Sequence, residues 1–134
     1  MLKQLKIKSE IINLRRVENA IDFLTSEIGI SEDSYGKILI AVLEAVNNAI
    51  VHGNKADMKK QVAIDFKIEV KDLCVSVTDE GKGFKPGEVP DPTKPENIEA
   101  LSGRGVFLMS RLADEIEFNR KGNSVKLTFK NILP

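Results

Sequence analysis

Glu44 and Asn48 stand four residues apart in the stretch ILIAVLEAVNNAIVHG, residues 38 to 53. A helix turning about 100° per residue places them one above the other. The opposite side is then an apolar arc of Ile38, Leu39, Val42, Leu43, Val46, Ala49 and Ile50, while Lys37 and Asn47 flank the polar stripe. A carboxylate in such a pair can take a proton, and an amide oxygen can ligate a hard cation such as Mg2+. Taken alone, the pair also fits the solvated face of an ordinary core helix. His52 lies near the end of the same helix, where a capping or packing role is expected of it.

Two glycine clusters carry the second kind of chemistry. Asp79-Glu80-Gly81-Lys82-Gly83-Phe84 follows an alternating apolar segment, and Gly103-Arg104-Gly105-Val106-Phe107 opens a helical pattern. Glycines let a backbone approach a ligand closely, and a helix N-terminus presents free N–H groups to phosphate. Gly103-x-Gly105 is not the dinucleotide fingerprint, because no parallel βαβ pattern surrounds it, and no Walker A sequence is present.

The elements that must position these groups follow from periodicity. Leu5 and Ile7 alternate with lysines, a weak first strand over residues 2 to 8. Leu14, Val17, Ile21, Leu24 and Ile28 recur at helical spacing, with Asn13 as the expected cap and Gly29 as the stop. Ser31 caps the next helix, with Glu32 and Asp33 in its first turn, and Gly53 with Asn54 ends it. The period then changes to two: Val62, Ile64, Phe66, Ile68 and Val70, a turn at Lys71-Asp72, then Leu73, Val75 and Val77 form a hairpin with one buried face. Residues 80 to 103 hold four of the five prolines, a long loop with a short helix expected near Glu96 to Leu101. A third helix is expected just after Gly105. Ile116 and Phe118, a turn at Lys121-Gly122-Asn123, and Val125, Leu127 and Phe129 close the chain. Helices over a mostly antiparallel mixed sheet with one apolar face make an α/β (α+β) two-layer sandwich, read as a single domain over residues 1 to 134.

The motifs in series resemble a known fold. Glu-x-x-x-Asn on a helix, Asp-x-Gly-x-Gly after a strand, a proline-rich lid and Gly-x-Gly-x-x-Leu on a helix together resemble the Bergerat (histidine-kinase-like ATPase) fold of gyrase, heat-shock chaperones, histidine kinases and MutL. More narrowly, ExxxNAIVHG, DEGKGF, DPTKPEN and SGRGVFLM are similar to the bacterial anti-sigma-factor serine/threonine kinases of partner-switching systems, over roughly residues 35 to 130. The resemblance implies ATP and Mg2+ as ligands. It implies Glu44 as general base, Asn48 as the Mg2+ ligand, and Asp79 as acceptor for the adenine amino group. Gly81 and Gly83 would shape the pocket floor, and Gly103, Arg104, Gly105, Val106 and Phe107 would wrap the phosphates. Lys82 is open between added charge and solvated surface. Asn123 stands where some relatives place threonine, so its contact with phosphate is open. The implied function is phosphorylation of a STAS-domain antagonist on serine, coupled to binding of a sigma factor, by a homodimer. The alternative is an ATP-gated binding module without phosphotransfer.

Composition bounds these readings. Twenty basic and twenty acidic residues cancel, so no net field attracts nucleic acid or a membrane surface. One cysteine, Cys74, permits no internal disulfide and suits a reducing compartment, and its apolar surroundings suggest a structural role. The first ten residues lack a signal peptide's apolar run, and no stretch approaches the ~18 apolar residues of a membrane span. A cytoplasmic location is therefore expected.

Overall fold

Strand β1 (Leu2–Lys8) is followed by helices α1 (Leu14–Ile28) and α2 (Glu32–Asn48), the hairpin β2 (Gln61–Glu69) and β3 (Asp72–Thr78), helix α3 (Gly103–Leu112), and strands β4 (Glu115–Phe118) and β5 (Ser124–Phe129). The structure is a computed structural model that describes residues 2–81 and 103–133. The short helix expected near Glu96 lies outside the described residues, as do Lys82 and Gly83.

The sheet order is β1-β2-β3-β5-β4. Each of the four pairings is antiparallel, so no parallel pair enters among the described strands. Alternation settles the faces. Val62, Ile64 and Phe66 pair across to Val77, Val75 and, on the other side, Ile7 and Leu5, and the apolar members join one core with Val125, Leu127 and Phe129. The helices complete that core through Val17, Ile21 and Leu24 of α1, Ile38, Val42 and Val46 of α2, and Met109 of α3. Burial of each such side chain contributes about 1.5–3 kcal/mol. The other sheet face carries Gln4, Asp65, Ser76, Lys126 and Glu117. This is the two-layer arrangement expected. Cys74 is buried with its Sγ 3.9 Å from Thr128 Oγ1, consistent with a structural role.

Helix ends follow local chemistry. Gly29 takes the left-handed conformation, φ 72°, and returns its N–H to Thr25 O. Ser31 accepts from Ser34 N–H at 3.3 Å. Asn13 does not cap α1. It lies in a helical conformation at the end of a 3₁₀ turn, where a cap requires extended backbone, and its Nδ2 donates back to Lys8 O instead. Helix α3 starts at Gly103, three residues before the expected point.

Helix α2 ends differently from its sequence reading. After Asn48 the ladder widens into a π turn, Ala49–Gly53, closed by Asn54 N–H on Ala49 O at 2.8 Å. The combined helix, Glu32–Gly53, is by length and composition long and apolar enough to cross a membrane, against the expectation that no stretch reaches that mark. Its apolar side is spent on the core, where Ile38, Ala41, Val42, Ala45, Val46, Ala49 and Ile50 are all buried.

The hairpin turn falls on Val70-Lys71, one residue earlier than expected, because Glu69 pairs with Asp72. Val70, expected on the buried face, is 93% exposed and sits at φ 59°. A β-branched residue is strained there, while asparagine tolerates it. Val70→Asn is expected to raise stability by about 1 kcal/mol, read as a higher urea midpoint with an unchanged slope.

Candidate functional site

Glu44 and Asn48 project from one side of α2 a turn apart, both half-buried, with Asn48 the last residue before the ladder widens. No described residue hydrogen-bonds or pairs with either head group. Of the capping or packing role expected of His52, packing is not realised, since it stands exposed, while its place in the last turn agrees with a helix-end role.

The π turn carries the end of α2 onto the chain that follows β3. A Cβ built on Gly53 would lie 2.2 Å from Asp79 Oδ2, and one on Gly81 would lie 2.1 Å from Gly53 O. No side chain fits in either place. Gly53 does not have a positive φ, so its requirement is one of space. Sequence reading assigned it only as a helix stop. Its second role depends on Asp79, far along the chain, and has no local signal. The contact joins the helix carrying Glu44 and Asn48 to the carboxylate at the other end of the motif series.

Asp79 is held at each of its backbone groups. Its N–H donates to Asn123 O at 2.8 Å, and its carbonyl accepts from Asn123 Nδ2 at 2.9 Å. Its Oδ1 accepts from Gly81 N–H at 2.7 Å. Burial pushes the carboxyl above its ordinary range, opposed by the Gly81 amide and by the positive charges of Lys121 and Lys60. Asn123 is thus engaged at the Asp79 turn through its carbonyl and its Nδ2. Lys60 and Lys121, neither picked out by motif, supply the nearby positive charge.

Gly103, Arg104 and Gly105 form the first turn of α3, where the backbone N–H groups have no partners within the helix. Val106 packs on the core, and the Arg111 guanidinium lies over the Phe107 ring, 5.8 Å from its centre. Helix α3 packs on α2.

The arrangement fits a nucleotide and its metal. The half-buried Asp79 carboxylate lies against Gly53 and Gly81, packed so closely that neither position has room for a side chain, and its free oxygen is an acceptor of the kind a base amino group needs. Among the described residues no cluster of three or more His, Cys, Asp or Glu forms a metal cage.

Comparison with known proteins decides the family. The family model described as "Histidine kinase-like ATPase domain" matches residues 8–129. The chain belongs to the histidine kinase-like ATPase domain family. Within it, this ATPase domain is similar to the serine-protein kinases RsbW. It is 34% identical to that of Bacillus subtilis over 112 residues, covering 78% of this chain and 70% of the relative. It is 28% identical to that of Listeria innocua over 132 residues, covering 93% and 83%. The chain groups with these serine-protein kinases. A crystal structure of the RsbU and RsbW domains of a Mycobacterium tuberculosis protein superposes with a TM-score of 0.69 at 18% identity, over 99% of this chain and 32% of that one. At that identity the likeness establishes the fold, an antiparallel sheet under helices.

Proposed function

We propose that this domain is an ATP-dependent protein serine kinase and anti-sigma factor of a cytoplasmic partner switch. It transfers phosphate to a serine of a STAS-domain antagonist, binds a sigma factor, and acts as a homodimer of single-domain chains. The observation that carries the reading is the seating of the α2 tail, through Gly53, on the Asp79 turn. That contact brings together the elements carrying Glu44, Asn48 and Asp79, which supports giving them the roles of general base, metal ligand and base-recognising carboxylate.

In this reading Asp79 accepts a hydrogen bond from the adenine amino group, and the Gly53–Gly81 contact forms the floor beneath the base. Asn48 would hold Mg2+, which when bound would supply charge neutralisation at the phosphates. The N–H groups at the start of α3, from Gly103 to Gly105, would donate to phosphate oxygens. Glu44 accepts the serine hydroxyl proton as that oxygen bonds to the γ-phosphorus and ADP departs. Phosphoryl transfer asks mainly for positioning and charge neutralisation, so one base, one metal and oriented amides suffice.

The test is incubation of the purified chain with Mg-ATP and a STAS-domain antagonist, followed by phosphoserine detection on the antagonist. Magnesium-dependent transfer to serine is the expected result. Nucleotide binding without transfer would replace the kinase with an ATP-gated binding module.

A further inference from the structure

We infer that Asn54 and Asn123 are positioning residues for base recognition: their carboxamides lock the Asp79–Gly81 turn from two sides and set where the Asp79 carboxylate stands. The inference rests on the nucleotide-site reading above and names residues outside the motifs that carry it.

Asn54 is 1% exposed, and its carboxamide is fully used. Its Nδ2 donates to Ser9 Oγ at 2.8 Å and to Gln61 O at 3.0 Å, and its Oδ1 accepts from Glu80 N–H at 2.7 Å. A buried amide is costly unless satisfied in this way, and an apolar residue would fill the space more cheaply. What the amide adds is direction. It ties the end of β1 and the start of β2 to the residue after Asp79. The Glu80 carboxylate reinforces the same junction by accepting from Gln61 N–H. The chain leaves this point through two left-handed residues, Lys55 at φ 53° and Ala56 at φ 56°. Such a conformation persists only where the surroundings over-determine it.

Asn123 holds the other side through the two bonds to the Asp79 backbone. It is itself fixed by Asn119, whose Nδ2 donates to Asn123 Oδ1 and whose Oδ1 accepts from the N–H groups of Gly122, Asn123 and Ser124. The N–H groups of residues 79, 80 and 81 therefore all have assigned acceptors: Asn123 O, Asn54 Oδ1 and Asp79 Oδ1. A carboxylate so fixed selects a purine that offers an amino donor and disfavours one that offers a carbonyl. Both asparagines act through the backbone of the Asp79 turn, so their effect falls on nucleotide binding and base choice rather than on the chemical step.

The experiment measures ATP and GTP dissociation constants, and KM and kcat for transfer, in the full chain carrying Asn54→Ala or Asn123→Ala. Each variant is expected to raise the ATP dissociation constant and KM about tenfold, with GTP binding and kcat changed less than about twofold. The ATP-over-GTP preference then falls about tenfold. A preference equal to that of the parent, with or without a lower melting temperature, overturns the inference, as does a fall in kcat at constant KM. Should Asn54→Ala fail to fold, Asn123→Ala decides, since Asn123 is partly exposed. A parent chain that binds no ATP, or whose base preference survives Asp79→Asn, refutes the nucleotide site itself. A parent with an Asp79-dependent preference that both asparagine variants retain refutes this inference alone.

Discussion

Glu44→Gln is expected to reduce phosphate transfer to the antagonist serine about 10³-fold while leaving ATP binding within about threefold of the parent. A positioned general base contributes a factor of about 10² to 10⁴. Glutamine matches glutamate in shape but cannot take the serine proton. The structure makes the substitution a clean one: Glu44 is half-buried on α2 with no described hydrogen-bond or ion-pair partner to lose, so the fold should tolerate the change. Single-turnover transfer with labelled ATP, beside equilibrium ATP binding, separates the two quantities. Transfer at the parental rate would remove Glu44 from the mechanism. Parallel loss of binding and transfer would make it a ligand-holding residue.

Asp79→Asn is expected to act in opposite directions on binding and stability. The amide can still accept from Gly81 N–H, but its NH₂ meets the adenine amino group donor to donor. Losing one hydrogen bond to a charged acceptor costs about 2 kcal/mol, a factor of about thirty in the ATP dissociation constant. Stability should move the other way. Burial raises the carboxyl pKa in the folded chain above its ordinary value, so the folded state favours the protonated form. The stability that this contributes is full below the unfolded value and is lost as pH rises through the folded one. At neutral pH the ionised carboxylate is therefore a net cost that asparagine removes. The ligand-free variant should melt above the parent at pH 7, and the gap should close as pH falls toward 3.8, the ordinary aspartate value. A variant that melts lower at pH 7 would show that the Gly81 amide, Lys60 and Lys121 outweigh burial.

The same residues show what could be read in advance. Helical spacing in residues 14 to 50, and alternation in residues 62 to 77 and 116 to 129, predicted the elements and their buried faces, because periodicity is local and a core demands it. The four-residue step from Glu44 to Asn48 put both on one side of α2. Gly29 and Ser31 marked helix ends by their own backbone chemistry. The motif series from Glu44 to Gly105 carried the family. Asn13, Val70 and the start of α3 departed from expectation because each was decided by a competing local geometry: an extra 3₁₀ turn, a strand register, a helix begun on its glycines.

What folding alone decided is how the pieces meet. The widening of α2 into a π turn, the pressing of Gly53 on Asp79, and the grip of Asn54 and Asn123 on the same turn left no trace in any pattern. Asn54 reaches a residue 26 positions away and Asn123 one 44 positions away. Hydrogen bonds and close approaches over such separations obey no period. They depend on where the sheet and helices come to rest, and that placement turns a polar stripe and two glycine clusters into one site.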